Sequence, residues 1–296
     1  MSSLLSELSS QFEADLQLYL EELKEITPLY SPAAYILCSG GKRLRPLIIL
    51  LIAHALGKNV QVREASLSIE FFHTASLIAD DLPCMDDELT RRGKRVLHRE
   101  YDEATALLVS YSLIASGYRY LQKNGERMIR EASFLASEEK AERLLLALRN
   151  VSEQSGVEGL QSGQFWDLNS SPQNEPSLYL QIIRKKTVSL FESAMLLGWL
   201  FGGGALSLVP QVKQMALHFG SAFQMADDLL DESSDRERKA MNATLYWGRE
   251  ETEERMQREW REWKNLVKEL FLDGEGMRIL KEYVEGEFAE KGIFLA

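Results

Sequence analysis

The sequence of 296 residues contains few cysteines and no surplus of positive charge, and both shortages exclude classes of protein. Its two cysteines, Cys38 and Cys84, provide neither a multi-disulfide framework nor a CxxC site, which fits a reducing compartment. The 34 lysines and arginines are outnumbered by 45 aspartates and glutamates, so the net charge is −11. Because non-specific nucleic-acid binding requires a basic surface, we expect no nucleic-acid partner.

Long hydrophobic runs are also missing. The longest strongly apolar run, residues 46–56, is far shorter than the ~20 residues that a membrane-spanning helix requires. Residues 1–10 have neither the basic start nor the apolar stretch of a signal peptide. We therefore expect a cytoplasmic protein with no stable membrane insertion.

Alternating strand segments with Asn-Gly or Asp-Gly turns are absent as well, and the dominant apolar period is helical. Near the N-terminus, apolar residues recur every three or four positions, as in an amphipathic helix: Leu5, Leu8, Phe12, Leu16, Tyr19 and Leu23. Residues 46–56 and 190–201 are apolar on nearly every side, which is typical of buried central helices. The sequence predicts one all-α domain, a helical bundle over residues 1–296.

A first acidic cluster follows an apolar stretch and precedes two arginines; it comprises Asp80, Asp81, Asp86, Asp87 and Glu88. Carboxylates at this density raise one another's pKa unless a cation joins them, and magnesium prefers such oxygen ligands and often shares them with phosphates. Asp80 and Asp86 would lie about 600° apart on an ideal helix, on different faces. Pro83 cannot continue an ordinary helix, so we expect a bulge there to bring them together. The alternative is a solvated acidic helix end.

A second acidic cluster lies near residue 230. Asp227, Asp231 and Asp235 recur every four positions and should line one face of a helix, with Asp228 beside them. Like charges at this spacing destabilise a free helix, and a cation bound between the helix and a ligand would remove that cost. Together, the two clusters predict a magnesium–diphosphate site far more specifically than either cluster alone.

Three basic segments accompany the acidic clusters: residues 40–46 (GGKRLRP), Arg91–Arg92 and Arg184–Thr187. Glycine allows the backbone to approach a ligand closely, and the arginine fork matches phosphate oxygens. Each segment alone is more often a solvated surface. Beside two metal-type clusters, they suggest two phosphate sites, one bridged by metal and one held directly by lysine and arginine. His73, two turns before Asp80, is either a core residue or part of that second site.

These motifs resemble those of the all-trans polyprenyl diphosphate synthases, which include the farnesyl and geranylgeranyl diphosphate synthases. The resemblance covers roughly residues 34–248 and rests on five segments in the family's order: residues 40–46, 80–93 (DDLPCMDDELTRRG), 159–168 (GLQSGQFWDL), 186–187 and 223–231 (FQMADDLLD). It implies an all-α bundle with a central active-site cavity, usually as a homodimer.

The resemblance also implies roles for individual residues. About three magnesium ions would hold the allylic diphosphate. Their ligands would be Asp80, Asp86, Asp227 and Asp231, supported by Asp81 and Asp228. The other contacts to the allylic substrate would be Arg91, Lys186, Thr187 and Gln224. The diphosphate of isopentenyl diphosphate would be bound by Gly41, Lys42, Arg45, His73 and Arg92. The catalytic set would comprise Asp80, Asp81, Asp86, Arg91, Lys186, Asp227 and Asp228.

The implied reaction joins isopentenyl diphosphate to dimethylallyl, geranyl or farnesyl diphosphate after magnesium-assisted ionisation of the allylic substrate. In similar enzymes, a bulky residue four or five positions before the first acidic motif blocks the growing chain. Here these positions are Ser76 and Ala75, both small, so we expect geranylgeranyl rather than farnesyl diphosphate as the product.

Some positions depart from the family pattern and keep two alternatives open. Ala79 and Ser110-Tyr111 replace the usual His and Gly-Asp, and the loop 236–244 is short, with Lys239 as its lysine. A terpene cyclase on the same fold would need no second diphosphate site, which argues against it here. A non-catalytic regulatory subunit would typically have lost one acidic motif, whereas this chain has both.

Overall fold

The computed structural model describes residues 3–295 except residues 59, 171–174, 239, 271 and 273. Within these residues the architecture is α-helical, as the apolar periodicity predicts. Its one small sheet is an antiparallel hairpin that pairs β1 (Thr90–Arg91) with β2 (Lys94–Arg95). None of the described helices is both long enough and apolar enough to cross a membrane.

The helices of the first half of the chain are α1 (Ser3–Lys24), α2 (Tyr30–Leu37), α3 (Leu44–Ala55), α4 (Arg63–Asp80), α5 (Leu97–Glu100), α6 (Glu103–Glu131) and α7 (Ser137–Ser155). Those of the second half are α8 (Leu160–Leu168), α9 (Pro176–Ile183), α10 (Ser189–Phe201), α11 (Val209–Arg238), α12 (Ala243–Trp247), α13 (Arg249–Glu269) and α14 (Glu275–Ala289). A π-helical turn, Arg184–Val188, joins α9 to α10, and a 3₁₀ turn, Leu206–Leu208, precedes α11.

Two helices that are apolar all round form the centre of the bundle, as the sequence predicts. All residues from Leu47 to Ala53 on α3 and from Leu190 to Phe201 on α10, except Glu192, are buried. The two helices pack so closely that a Cβ on Gly198 would lie 2.9 Å from the carbonyl oxygen of Ile49. Helices α4, α7, α11 and α14 pack directly against this pair.

This packing brings the ends of α4 and α11 to the same part of the molecule. The central helix α10 contacts both of them. An ion pair of 2.9 Å between Arg238 Nη1, at the end of α11, and Glu88 Oε1, after α4, joins the two ends directly. The first acidic cluster lies at the end of α4 and the second on the C-terminal part of α11, so the fold places the two clusters near one another.

A half-buried ion pair joins α11 to α13. His218 Nδ1 lies 2.6 Å from Glu259 Oε2, and the two side chains are only 24% and 28% exposed. The hydrogen bond to Glu259 raises the pKa of His218 above its ordinary value of 6.5. The pair therefore stabilises the fold fully below pH 6.5, and the stabilisation is lost as the pH rises through the folded-state pKa.

We predict that Glu259→Gln lowers the free energy of unfolding by about 0.5–1 kcal/mol at about pH 5.5 and by much less at about pH 9. Urea unfolding at the two pH values measures the difference. Glu262→Gln is the matched control, because Glu262 acts on His218 only through a weaker long-range charge interaction. An equal loss of stability at both pH values would show that the charge of His218 does not account for the contribution of Glu259.

Candidate active site

The first acidic motif lies in a turn that follows helix α4. The helix ends at Asp80, and the backbone N–H of Asp86 donates a hydrogen bond of 2.9 Å to the Asp80 carbonyl oxygen. The expected bulge within a helix at Pro83 is therefore wrong, although its consequence is observed. Continuing the helix would have driven Pro83 against the carbonyl of Ala79, so the chain turns instead and brings Asp86 beside Asp80.

Asp80 lies in a desolvated position. Burial raises its pKa to about 7; Lys186 and Arg91 oppose the rise, while Asp86 and Asp81 add to it. The Lys186 ammonium forms an ion pair of 2.5 Å with Asp167 at the far side of the site. Residues from α8 and the π-helical turn thus lie opposite the first motif.

The π-helical turn and α8 are held in backbone contact. A Cβ on Gly163 would overlap the backbone at Lys185–Lys186, so the close approach requires a glycine. The wider turn positions Lys186 and Thr187, and the Thr187 hydroxyl donates a hydrogen bond of 2.6 Å to Gln224 Oε1 on α11. Such π-helical turns are frequent at functional sites. The sequence analysis identified Lys186 and Thr187 but did not predict the π-helical turn that contains them.

The second acidic motif forms a regular helical face, as predicted. Asp227, Asp231 and Asp235 all lie on α11, which continues without interruption to Arg238. Burial raises the pKa of Asp227 to about 7; Lys42 opposes this most, Asp231 and Asp228 add to it, and Lys291 opposes it more weakly. Lys291 follows α14 and was missed by the sequence analysis, because only tertiary packing brings it to this site.

The second aspartate of each motif is occupied by contacts within the protein. Asp228, 3% exposed, accepts hydrogen bonds from the Tyr179 hydroxyl, the Ala243 backbone N–H and the Gln224 amide. Both oxygens of Asp81 accept hydrogen bonds from Arg91, the closest being 2.5 Å long. These contacts favour the supporting role expected for Asp81 and Asp228 over direct participation in catalysis.

The β1–β2 hairpin separates two adjacent arginines. Its tight turn has positive φ at Arg92 and Gly93, 54° and 75°, as a type I′ turn requires. Arg91 extends to Asp81, whereas Arg92 donates a hydrogen bond to the carbonyl oxygen of Gly40. Arg91 therefore contacts the acidic motif, and Arg92 contacts the glycine-containing segment.

A group of cationic side chains lies next to the second acidic motif. None of the carboxylates proposed to bind metal belongs to this group. Arg45 Nη1 is 3.5 Å from His73 Nε2, and the guanidinium lies 4.3 Å from the Phe191 ring centroid. Burial lowers the pKa of Arg45 to about 10, and burial together with the charges of Arg45 and Arg92 holds the pKa of His73 well below 6.5. His73 is therefore a neutral hydrogen-bonding group here.

The three cations of residues 42–45 have different surroundings in the structure. Arg43 is buried and bonds Glu70, Glu13 and the Leu37 carbonyl, so it stabilises the core. Lys42 remains at the site, where its ammonium forms an ion pair of 2.6 Å with Glu287 of α14. Glu287, like Lys291, could not be identified from spacing along the chain.

A cavity of about 510 Å³ extends from Asp80 between α4, α6, α7 and α8, as expected for a central cavity. Ala75, Ser76 and Ala79 line it along α4. Its far end is formed by Phe72 and Tyr118, whose rings pack edge to face with centroids 5.0 Å apart. Both proposed chain-length positions, Ala75 and Ser76, therefore border the cavity.

The expected loop 236–244 is shorter in the structure, because α11 continues to Arg238 and α12 begins at Ala243, and Asn242 anchors it. Asn242 donates hydrogen bonds of 2.8 Å to the Asp228 carbonyl oxygen and to Asp235 Oδ2. It also caps α12 through a bond from the Thr244 backbone N–H. Lys239 lies outside the described residues.

The acidic motifs have the donor chemistry for magnesium shared with a ligand. Among the described residues, no three acidic, histidine or cysteine side chains already converge as in a closed metal site. Asp80 with Asp86, and Asp227 with Asp231, instead offer two carboxylate pairs in which burial disfavours the charged form of Asp80 and Asp227. This fits magnesium, which binds few protein carboxylates and takes its other ligands from water and phosphate.

Known proteins match this chain over most of its length. Residues 26–243 match the family described as polyprenyl synthetase. The chain is 31% identical over 233 residues to the farnesyl diphosphate synthase of Bacillus subtilis, covering 78% of this chain and 75% of that one. It is 32% identical to the chloroplastic geranylgeranyl pyrophosphate synthase 11 of Arabidopsis thaliana, covering 71% of this chain and 57% of that longer one.

A solved structure shares the fold as well. The Helicobacter pylori geranyltransferase, determined in complex with magnesium and isoprenyl diphosphate, superposes with a TM-score of 0.72. The superposition covers 96% of this chain and 98% of that one, at 25% identity.

Gly41 provides a direct test of the cationic group. Its φ is +124°, and a Cβ there would overlap the Arg92 guanidinium. We predict that Gly41→Ala weakens magnesium-free binding of isopentenyl diphosphate about tenfold, because Arg92 is displaced. Gly40→Ala is the control: it also has positive φ, +82°, but has no atom within 4 Å of its Cβ. Equal affinities of the two variants by calorimetry would argue against a role for Arg92.

Proposed function

We infer the function from one premise: this chain belongs to the polyprenyl synthetase family. We propose that residues 1–296 form one prenyltransferase domain that condenses isopentenyl diphosphate with an allylic diphosphate. The observation that carries this proposal is the pairing of two carboxylate motifs, in each of which one aspartate is desolvated, with an adjacent group of cations. A condensation of this kind requires two diphosphate substrates, one bound through metal and one bound directly by cationic side chains.

The acidic side of the site would bind the allylic substrate. Family members depend on magnesium, and here we propose three ions held by Asp80, Asp86, Asp227 and Asp231. When bound, magnesium supplies positive charge that stabilises the leaving diphosphate. Arg91, Lys186, Thr187 and Gln224 would add direct contacts to that diphosphate. Support comes from Lys186, whose charge already acts on both Asp80 and Asp86.

The cationic side would bind isopentenyl diphosphate without a metal. Lys42, Arg45 and Arg92 supply positive charge, and Gly41 lets the backbone approach the phosphate. The Arg45 Nε–H is buried and has no hydrogen-bond partner among the described residues, so a phosphate oxygen would satisfy it. Neutral His73 would add a hydrogen bond without adding charge.

The chemistry follows from how these groups distribute charge. The allylic C–O bond breaks heterolytically and its electron pair leaves with the diphosphate, where Lys186 and Arg91 stabilise the added negative charge. The double bond of isopentenyl diphosphate forms the new carbon–carbon bond, and a proton is then lost to the departing pyrophosphate. The apolar walls of the cavity keep water from the allylic cation.

The two alternatives are less well supported. A terpene cyclase would have no use for Arg45 and Arg92, the arginines of the proposed second diphosphate site. A regulatory subunit would be free to lose the carboxylate pairs, yet both pairs are present in the sequence and lie at the two adjoining helix ends.

We propose geranylgeranyl diphosphate as the main product. Ala75 and Ser76 are small, and the cavity continues past them for about one helical turn to Phe72 and Tyr118. A chain longer than farnesyl can therefore grow along α4 before it meets these aromatic rings. The relatives include both farnesyl and geranylgeranyl synthases, so the family alone does not decide the product.

We further propose a cytoplasmic homodimer. Along α6, Leu107, Leu108 and Tyr111 are exposed and form an apolar face suited to a second copy of the chain. Both cysteines are free and exposed, as is common in a reducing compartment.

An elongation assay tests the proposed activity. The purified protein is incubated with magnesium, labelled isopentenyl diphosphate and, in turn, dimethylallyl, geranyl and farnesyl diphosphate. We expect labelled all-trans prenyl diphosphates with each starter that is accepted. A cyclic hydrocarbon would instead identify a cyclase, and no turnover with any starter would favour the regulatory subunit.

We predict that Ala75→Tyr shortens the product, because the phenol would fill the cavity between Asp80 and Phe72. Product chromatography should show farnesyl diphosphate replacing geranylgeranyl diphosphate, with magnesium-dependent turnover retained. Ser76→Ala, which removes only a hydroxyl bonded to the His73 carbonyl, is the control and should leave the product unchanged. An unaltered product from Ala75→Tyr would show that the cavity does not set chain length.

A further inference from the structure

Each acidic motif has one lysine close to its desolvated aspartate. Burial raises the pKa of Asp80, and the strongest charge that opposes this rise is that of Lys186. Burial likewise raises the pKa of Asp227, and there the strongest opposing charge is that of Lys42. A lysine beside a desolvated carboxylate is expected to form an ion pair with it, because the pair compensates both charges. Such a pair would compete with magnesium for the carboxylate.

Both lysines instead form ion pairs with carboxylates from other helices. The Lys186 ammonium lies 2.5 Å from Asp167 Oδ2 on α8. The Lys42 ammonium lies 2.6 Å from Glu287 Oε2 on α14. Within the described part of the chain, neither lysine forms an ion pair with a proposed magnesium ligand. Both metal-type carboxylate pairs are therefore left open.

The backbone fixes the position of the first of these carboxylates. Asp167 lies about one turn after Gly163 on α8, and a Cβ on Gly163 would overlap the backbone nitrogen of Lys186. The neighbouring Lys185 lies over the Trp166 ring, with its ammonium 5.3 Å from the ring centroid. The close contact between α8 and the π-helical turn therefore sets Asp167 and Lys186 side by side.

Helix α14 holds Lys42 through three side chains. The Tyr283 hydroxyl donates a hydrogen bond of 3.3 Å to the Lys42 carbonyl oxygen. Glu287, one turn later, pairs with the ammonium, which also lies 5.9 Å from the Phe288 ring centroid. Contacts to both the backbone and the side chain thus keep Lys42 on the α14 side of the site.

We propose that Asp167 and Glu287 are positioning residues: each holds one lysine away from the neighbouring acidic motif, so that its aspartates stay free to bind magnesium. This inference rests on the proposed function, because it takes the aspartates of both motifs as metal ligands. Without its partner carboxylate, each lysine pairs with the nearby aspartate, and only the unpaired fraction of the protein can bind metal. The apparent metal affinity falls by that fraction.

The test for Asp167 measures metal binding in the absence of any diphosphate. Mn²⁺ replaces magnesium, and electron paramagnetic resonance measures the free ion, so the readout does not depend on turnover. We expect Asp167→Asn to weaken Mn²⁺ binding about three- to tenfold, because Lys186 then pairs with Asp80. In a Lys186→Met background, the same substitution should change the affinity by less than about twofold. Equal losses in both backgrounds would show that Asp167 acts only through its negative charge, and would overturn the proposal.

Glu287→Gln is measured in the same way, with Lys42→Met as the second background. Glu282→Gln is the matched control, because Glu282 is an exposed carboxylate of the same helix and forms no ion pair with Lys42. We expect Glu287→Gln to weaken Mn²⁺ binding only where Lys42 is present, and Glu282→Gln to leave it unchanged. Equal effects of the two glutamine substitutions would overturn the role of Glu287.

Two further variants, Asp80→Asn and Asp227→Asn, separate this inference from the proposed function. If they weaken Mn²⁺ binding but the variants at Asp167 and Glu287 do not, the metal sites are confirmed and the positioning role is wrong. If they leave Mn²⁺ binding unchanged, the proposed metal sites and the positioning role are both wrong.

Discussion

The partial burial of two aspartates, Asp80 at the end of α4 and Asp227 on α11, is the constraint on which the rest of the site depends. Burial raises the pKa of Asp80 and of Asp227 to about 7, although Lys186 and Lys42 oppose the rise. A fold that places carboxylates in such surroundings keeps them charged only when a cation joins them. The neighbouring structure holds the adjacent aspartates in place: Arg91 bonds the Asp81 side chain, Tyr179 bonds the Asp228 side chain, and Asn242 bonds the Asp228 backbone carbonyl.

A second consequence is that the two proposed phosphate sites would bind by different chemistry. The carboxylates of the acidic side can hold a phosphate only through metal, whereas the side built from Lys42, Arg45 and Arg92 needs none. The two sides are neighbours, since the charge of Asp227 acts on Arg45. The cavity that begins at Asp80 is the proposed place of the growing chain, with small residues along α4 and two aromatic rings at its end.

Local spacing was sufficient to predict the helical class, the two inner helices and the face shared by Asp227 and Asp231. These features depend on the period of one helix and on residues close in sequence. The turn after Asp80 was only half predicted, because Pro83 shows that a helix cannot continue but not where it ends. Glu287, Lys291 and the inward direction of Arg43 could not be predicted, because they depend on how distant helices pack.

The most direct test of this account compares the metal requirement of the two diphosphate sites. Equilibrium binding of isopentenyl diphosphate and of the unreactive analogue geranyl S-thiolodiphosphate is measured with magnesium and with a chelator. The account predicts that removing magnesium weakens binding of the geranyl analogue about a hundredfold or more and changes that of isopentenyl diphosphate by less than about threefold. Equal dependence of both ligands on magnesium, or independence of both, would contradict it.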